Sequence, residues 1–129
     1  MSVKGKLRVR VDHINAQSFL AHKDEINLLI NERDTDILCI SETWLISEVL
    51  DEHISIPGYV LYRCDVGRGG GVCVYVKNIF TVTRLDVNIE RPTGVEDVWL
   101  SVQSNKLPTC GYRLHVPSSE ISLDDFRLY

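Results

Sequence analysis

The chain has 129 residues, 44% of them apolar and 25% charged, with a formal net charge of −4. That length and composition supply one globular domain, or part of one, and exclude a disordered chain and a multidomain assembly. The acidic balance excludes a broad basic field, so any contact with nucleic acid must run through local Lys and Arg side chains or a metal.

The opening residues, Met1 to Lys6, are basic but lead into alternation rather than an apolar core, so they form no secretory signal. No stretch is long and apolar enough to predict a membrane-spanning helix. Leu7, Val9 and Val11 alternate with Arg8, Arg10 and Asp12, which predicts a strand ending near Ile14 and Asn15. Ser18 suits an N-cap for the helix that follows. Phe19, Leu20, Ile26, Leu29 and Ile30 fall largely on one face of it, and His22, Lys23, Asp24, Glu25 and Glu32 fall elsewhere. The helix should stop before Asp34-Thr35-Asp36. Residues 37–40, Ile-Leu-Cys-Ile, have no polar break, as expected of a strand buried on both faces. A strand, helix and strand in this order close as a right-handed crossover with parallel strands. Asn15 and Glu42 should then meet at the sheet edge where open α/β sheets hold ligands.

A polar connection carrying Glu48, Asp51, Glu52 and His53 leads to the turn signal Pro57-Gly58. Strands are predicted at residues 59–63 and 72–76, joined as a hairpin across residues 65–71. Further strands are expected at residues 80–85, 98–103 and 109–116. Residues 118–129 read as a helix start, with Ser122 as N-cap and Asp124 and Asp125 in the first turn. That helix meets the chain end early, which leads us to expect a domain divided at its carboxyl side.

Several side chains invite chemistry. The run Gly67-Arg68-Gly69-Gly70-Gly71 lacks a following Lys-Ser/Thr and precedes a strand, so it reads as a flexible hairpin connection rather than a phosphate cradle, with Arg63 and Arg68 beside it for a polyanion. Cys39, Cys64, Cys73 and Cys110 are widely spaced and form no C-x-x-C pair. They read as buried free thiols of a reducing compartment, cytoplasmic or nuclear, rather than zinc ligands. His13, His22, His53 and His115 show no metal-ligand spacing, and His22 belongs to a solvated helix face. Tyr112 and His115 share one strand but point to opposite faces, so only one can reach a given site.

Glu42 sits at the mouth of a buried strand, where a carboxylate must be paired, hydrogen-bonded or bound to a cation. Two readings stand side by side. Asn15 and Glu42 form either a turn-capping amide and a backbone-bonded carboxylate, or a magnesium site, since magnesium takes hard oxygen ligands, keeps several waters and needs only one or two carboxylates.

In order along the chain come Asn15-Ala16-Gln17-Ser18-Phe19, Lys23 with Glu25-Ile26, and Asp36-Ile37-Leu38-Cys39-Ile40-Ser41-Glu42-Thr43-Trp44-Leu45. Pro57-Gly58-Tyr59, Arg63 with Asp65, and Gly69-Gly70-Gly71-Val72 follow. Over residues 7–117 this order resembles the endonuclease/exonuclease/phosphatase superfamily, in the version found in LINE-type (non-LTR) retrotransposons. The resemblance implies part of a four-layer α/β sandwich, DNase I-like and truncated at its carboxyl end, whose intact form hydrolyses DNA phosphodiesters with magnesium or manganese. It implies that Asn15 and Glu42 help hold the metal, Glu42 with the stronger claim.

The family's phosphate-contacting tyrosine falls on Tyr112 or, if Val116-Pro117-Ser118 is matched, on His115. The family's Asp-x-Asn element after a glycine, a further asparagine and a terminal Asp-His pair have no counterpart up to Tyr129. The expectation is therefore an endonuclease fragment, inactive alone, whose partners are DNA and a missing carboxyl-terminal half or a reverse transcriptase domain. Its half sandwich should leave a large apolar sheet face uncovered. The alternatives are a non-catalytic remnant acting as an interaction or nucleic-acid-binding module and, more distantly, a sugar- or lipid-phosphate phosphatase.

Overall fold

A computed structural model of the chain describes residues 9–85, 97–104 and 111–117. Strand β1 (Val11–Asn15) leads through a 3-10 turn (Leu20–His22) into helix α1 (Lys23–Arg33) and strand β2 (Ile37–Ser41). A second 3-10 turn (Asp51–His53) precedes β3 (Tyr59–Cys64), β4 (Val72–Lys77), β5 (Phe80–Arg84), β6 (Asp97–Ser104) and β7 (Gly111–Pro117). The predicted strands all form, with ends shifted by a few positions. The helix expected over residues 118–129 lies outside the described residues.

Local chemistry sets the first crossover. The Ser18 hydroxyl accepts the Ala21 N–H at 3.3 Å, but it is not the expected N-cap: that position is Phe19 for the 3-10 turn and His22 for α1, because the 3-10 turn intervenes before the helix. The helix ends at Asp34 in the left-handed region, its N–H donating to the Ile30 carbonyl. Ile26 and Ile30 are buried, while Leu20 and Leu28 stay exposed. As expected, β1 and β2 pair in parallel, with Asn15 opposite Ser41.

The first sheet has the order β1-β2-β4-β3, and the second has β5-β6-β7, antiparallel throughout. Strand β4 completes the predicted hairpin with β3 and also pairs antiparallel with β2, Ser41 opposite Val72. The first sheet is therefore mixed. Its two central strands are wholly buried apart from Lys77, and their side chains alternate between two cores. Leu38, Ile40, Cys73 and Tyr75 meet Phe19, Ile26, Ile30, Leu45, Ile54 and Ile56 on the helix side. Ile37, Cys39, Val72, Val74 and Val76 meet Val98, Leu100, Val102, Leu114 and Val116 between the sheets. The unbroken apolar run at residues 37–40 follows directly from having a core on each face.

These layers make an α/β sandwich. One expectation fails, since the outer face of the second sheet is not a large apolar patch among the described residues. Val98, Leu100 and Val102 point into the core, so Asp97, Trp99, Ser101 and Gln103 point out, and exposed Thr81, Thr83 and Arg113 join them. This is the ordinary alternation of an antiparallel sheet with one solvated face.

Candidate metal centre

The ends of β1, β2 and β3 and the start of β4 share one edge of the first sheet, because Asn15 is opposite Ser41, Ser41 opposite Val72 and Cys64 opposite Val72. Glu42 is the next residue after β2. Asn15 Nδ2 donates to Glu42 Oε2 at 2.5 Å, so the two residues singled out from sequence are in contact. Asn15 is exposed and Glu42 half-buried.

The segment carrying Glu42 is clamped from both sides. From the loop after β1, Ser18 N–H donates to the Glu42 carbonyl at 3.1 Å and Phe19 N–H to the Thr43 carbonyl at 2.9 Å. From the other side, Thr43 N–H donates to Gly71 at 3.3 Å, Trp44 N–H to Gly70 at 2.9 Å, and Gly67 N–H to Leu45 at 3.1 Å. Within this clamp Glu42 (φ +50°) and Trp44 (φ +55°) adopt left-handed backbone, as do Gln17 (+42°) and Ser18 (+87°). Such conformations cost about 1–3 kcal/mol each outside glycine and persist only where neighbours over-determine them. They turn the Glu42 carboxylate outward, onto Asn15.

Gly71 is the tightest point of the clamp. A Cβ there would lie 2.5 Å from Thr43 Oγ1, and φ is +93°. The run read as a flexible connection is thus a docked loop, tied to the Glu42 segment by three backbone hydrogen bonds. Arg63, expected to face a polyanion, is a structural hub instead. Its guanidinium donates to both Asp65 oxygens, to Asp51 and to the carbonyls of Ile46 and Val49, with 12% of its side chain exposed. Arg68 remains exposed, its guanidinium over the Trp44 ring at 5.7 Å. Trp44 Nε1 is buried and has no acceptor among the described residues.

Behind Asn15, on the same face of β1, His13 Nε2 lies 3.0 Å from the Ser41 hydroxyl. Burial lowers the imidazole below its ordinary pKa of 6.5. Sequence reading passed over His13, although the period of two on β1 already puts it in line with Asn15. On the opposite face, burial pushes the Asp12 carboxyl up. The hydrogen bonds from Thr35 and Arg10 and the charges of Arg10 and Arg33 outweigh this and hold it below the usual carboxylate value.

The two remaining candidates sit on the second sheet. Tyr112 pairs with Val102 in the register of β7, and its side chain lies outside the described residues. His115 faces away from the inter-sheet core, stacked on Trp99 with ring centroids 3.9 Å apart, its Nε2 3.1 Å from Asp97. A cleft of about 350 Å³ opens beside Asn15, lined by Ile14, Ala16, His22, Glu25, Ile26 and Leu29, at the rim where exposed Asn15 meets half-buried Glu42.

The donor set at the rim is one carboxylate and one amide oxygen, with Glu42 Oε1 and Asn15 Oδ1 outside the contact that joins the two residues. No group of three or more His, Cys, Asp or Glu side chains converges among the described residues. Hard oxygen donors in small number, open to solvent, suit a cation that keeps most of its waters, as magnesium does. Cys39 and Cys73 are buried free thiols whose ionisation burial pushes up, and Cys64 is free and half-buried. Cys110 lies outside the described residues. No helix among the described residues is long and apolar enough to cross a membrane.

Residues 9–127 match the model of the Endonuclease/Exonuclease/phosphatase family. No curated protein matches the chain in sequence. In fold, the chain is similar to the crystal structure of the AP endonuclease LMAP from Leishmania major, with a TM-score of 0.57 and 14% identity. That likeness covers 88% of this chain and 40% of the other, so the chain spans well under half the length of the protein it resembles.

Proposed function

The chain belongs to the endonuclease/exonuclease/phosphatase family, and from that premise we propose that Glu42 and Asn15 hold a divalent cation, magnesium or manganese, for hydrolysis of phosphodiesters in DNA. The contact between Asn15 Nδ2 and Glu42 Oε2, at a sheet edge clamped in left-handed backbone, carries this reading. A bound cation would neutralise charge developing on the phosphoryl oxygens. Asn15 orients the carboxylate through its amide N–H, and the glycine loop keeps the Glu42 backbone from relaxing. Tyr112 and His115 are the candidates for the phosphate contact.

The Glu42-Thr43-Trp44-Leu45 and Gly69-Gly70-Gly71 pieces favour the LINE-type retrotransposon branch, with DNA as substrate and a reverse transcriptase as associated domain. The buried free thiols fit a reducing, cytoplasmic or nuclear setting. We further propose that these 129 residues alone do not complete catalysis, since the Gly-Asp-x-Asn and terminal Asp-His elements are not among them.

Two measurements test this. Titration calorimetry should give magnesium or manganese binding that Glu42→Gln weakens more than tenfold, an effect of about 1.4 kcal/mol or more. Supercoiled plasmid with magnesium should stay unnicked. Metal affinity indifferent to Glu42 would sink the metal reading. Nicking abolished by Glu42→Gln would sink the claim of incomplete catalysis and keep the metal. DNA binding with no metal response would favour the non-catalytic module.

A further inference from the structure

Among the described cations of the first sheet, its helix and its loops, most are held by oxygen. Arg10 and Arg33 pair with Asp12, Lys77 with Asp34 and Asp36, and Arg63 with Asp51 and Asp65. Lys23 donates to the His53 carbonyl. Arg68 differs. It stands at the second position of a turn closed by Gly70 N–H donating to the Gly67 carbonyl at 3.2 Å, with Gly69 at φ +88° as the left-handed third residue. Its guanidinium lies over the indole of Trp44, which follows Glu42 by two positions and is itself bonded to Gly70.

An aromatic face holds a guanidinium without neutralising it and leaves N–H groups for a planar, bidentate acceptor such as phosphate. Trp44 keeps its place although its own N–H is buried without an acceptor among the described residues, a cost that leucine or phenylalanine there would avoid. The indole is thus better explained as a platform for the cation than as packing. Arg68 and Glu42 are two chemically different positions on one rim, linked through the same loop.

We infer that Arg68, steadied by Trp44, binds a backbone phosphate of a nucleic-acid strand, adjacent to the phosphate that the Glu42 rim addresses. This rests on the reading of that rim as a metal-dependent phosphodiesterase site and narrows its substrate class. Two separate phosphate positions select a polymer over a small phosphate monoester, which can occupy only one. The chain's net charge of −4 gives little non-specific attraction to DNA, so removal of one such cation is measurable.

The test is fluorescence anisotropy of the full chain with a short labelled DNA duplex in EDTA, across a salt series. Arg68→Ala should weaken binding about three- to tenfold and lower the salt slope by about one. Arg68→Lys should fall between, because it keeps the charge and loses the fork. Trp44→Leu should lose part of that affinity while keeping every charge and the salt slope, and Trp44→Phe should recover most of that loss. Unchanged affinity and slope in Arg68→Ala, with an unchanged circular dichroism spectrum, would overturn the inference. Absence of measurable duplex binding by the unsubstituted chain would overturn it too. Should Trp44→Leu not fold, the exposed Arg68→Ala variant decides alone. Magnesium calorimetry on Glu42→Gln reports separately on the metal reading, so either proposal can fail without the other.

Discussion

Glu42 and Gly71 show how a single residue's backbone governs the rim. Glu42 is left-handed because the loops on either side of it supply hydrogen bonds that a relaxed conformation would lose. Gly71 permits that approach, since any Cβ would meet Thr43 Oγ1. Gly71→Ala should therefore destabilise the chain by about 2 kcal/mol or more and weaken metal binding with it. Gly69→Ala, where a Cβ meets open space, should cost about 1 kcal/mol from its positive φ alone. Urea titrations of the two variants compare them directly. His13 supplies a pH test. Its imidazole is held below 6.5, so below that pH the unfolded chain binds more protons than the folded one. Stability should be full above pH 6.5 and fall as pH drops from 6.5 through the lowered folded value, and His13→Gln should remove that phase. The Asp12 contribution, from a carboxyl held below 3.8, should be lost only under more acid conditions.

At the scale of elements, β2 and β4 bear the structure, because each faces a core on both sides. Ile40→Ala should cost about 2–5 kcal/mol by cavity formation. On the same side, the Tyr75 hydroxyl donates to the Ile54 carbonyl at 2.6 Å in a buried setting, and its ring stacks on Phe19. Tyr75→Phe should cost about 1–3 kcal/mol by leaving that carbonyl unsatisfied. Equilibrium denaturation measures both. Arg63 belongs to this scale as well, tying the β3 strand to the 46–51 connection rather than to a ligand. Its arginine-aspartate pattern in sequence looks the same in either role, and only its partners distinguish them.

For the whole molecule, the stacking of helix, mixed sheet and antiparallel sheet predicts a gradient of local stability. Amide exchange should be slowest in β2 and β4 and faster in the edge strands β1, β3, β5 and β7, which lack a neighbour on one side among the described residues. Uniform protection across the first sheet would contradict this. Much of the architecture was legible in the amino-acid order. A period-two run marked β1, an unbroken apolar run marked β2, strand-forming residues between turn signals marked β3 and β4, the apolar face of residues 19–30 marked the helix, and the crossover rule brought Asn15 to Glu42. These signals are local, or follow from one well-constrained unit. The insertion of β4 between β2 and β3, the docking of the glycine loop against Thr43, the capture of Arg63 by Asp51 and Asp65, and the placing of Arg68 over Trp44 depend on residues far apart in sequence. No periodicity encodes which strand will become whose neighbour. That was settled by burying β2 and β4 on both faces at once, and the same packing drew the loops at their ends into one rim around Glu42.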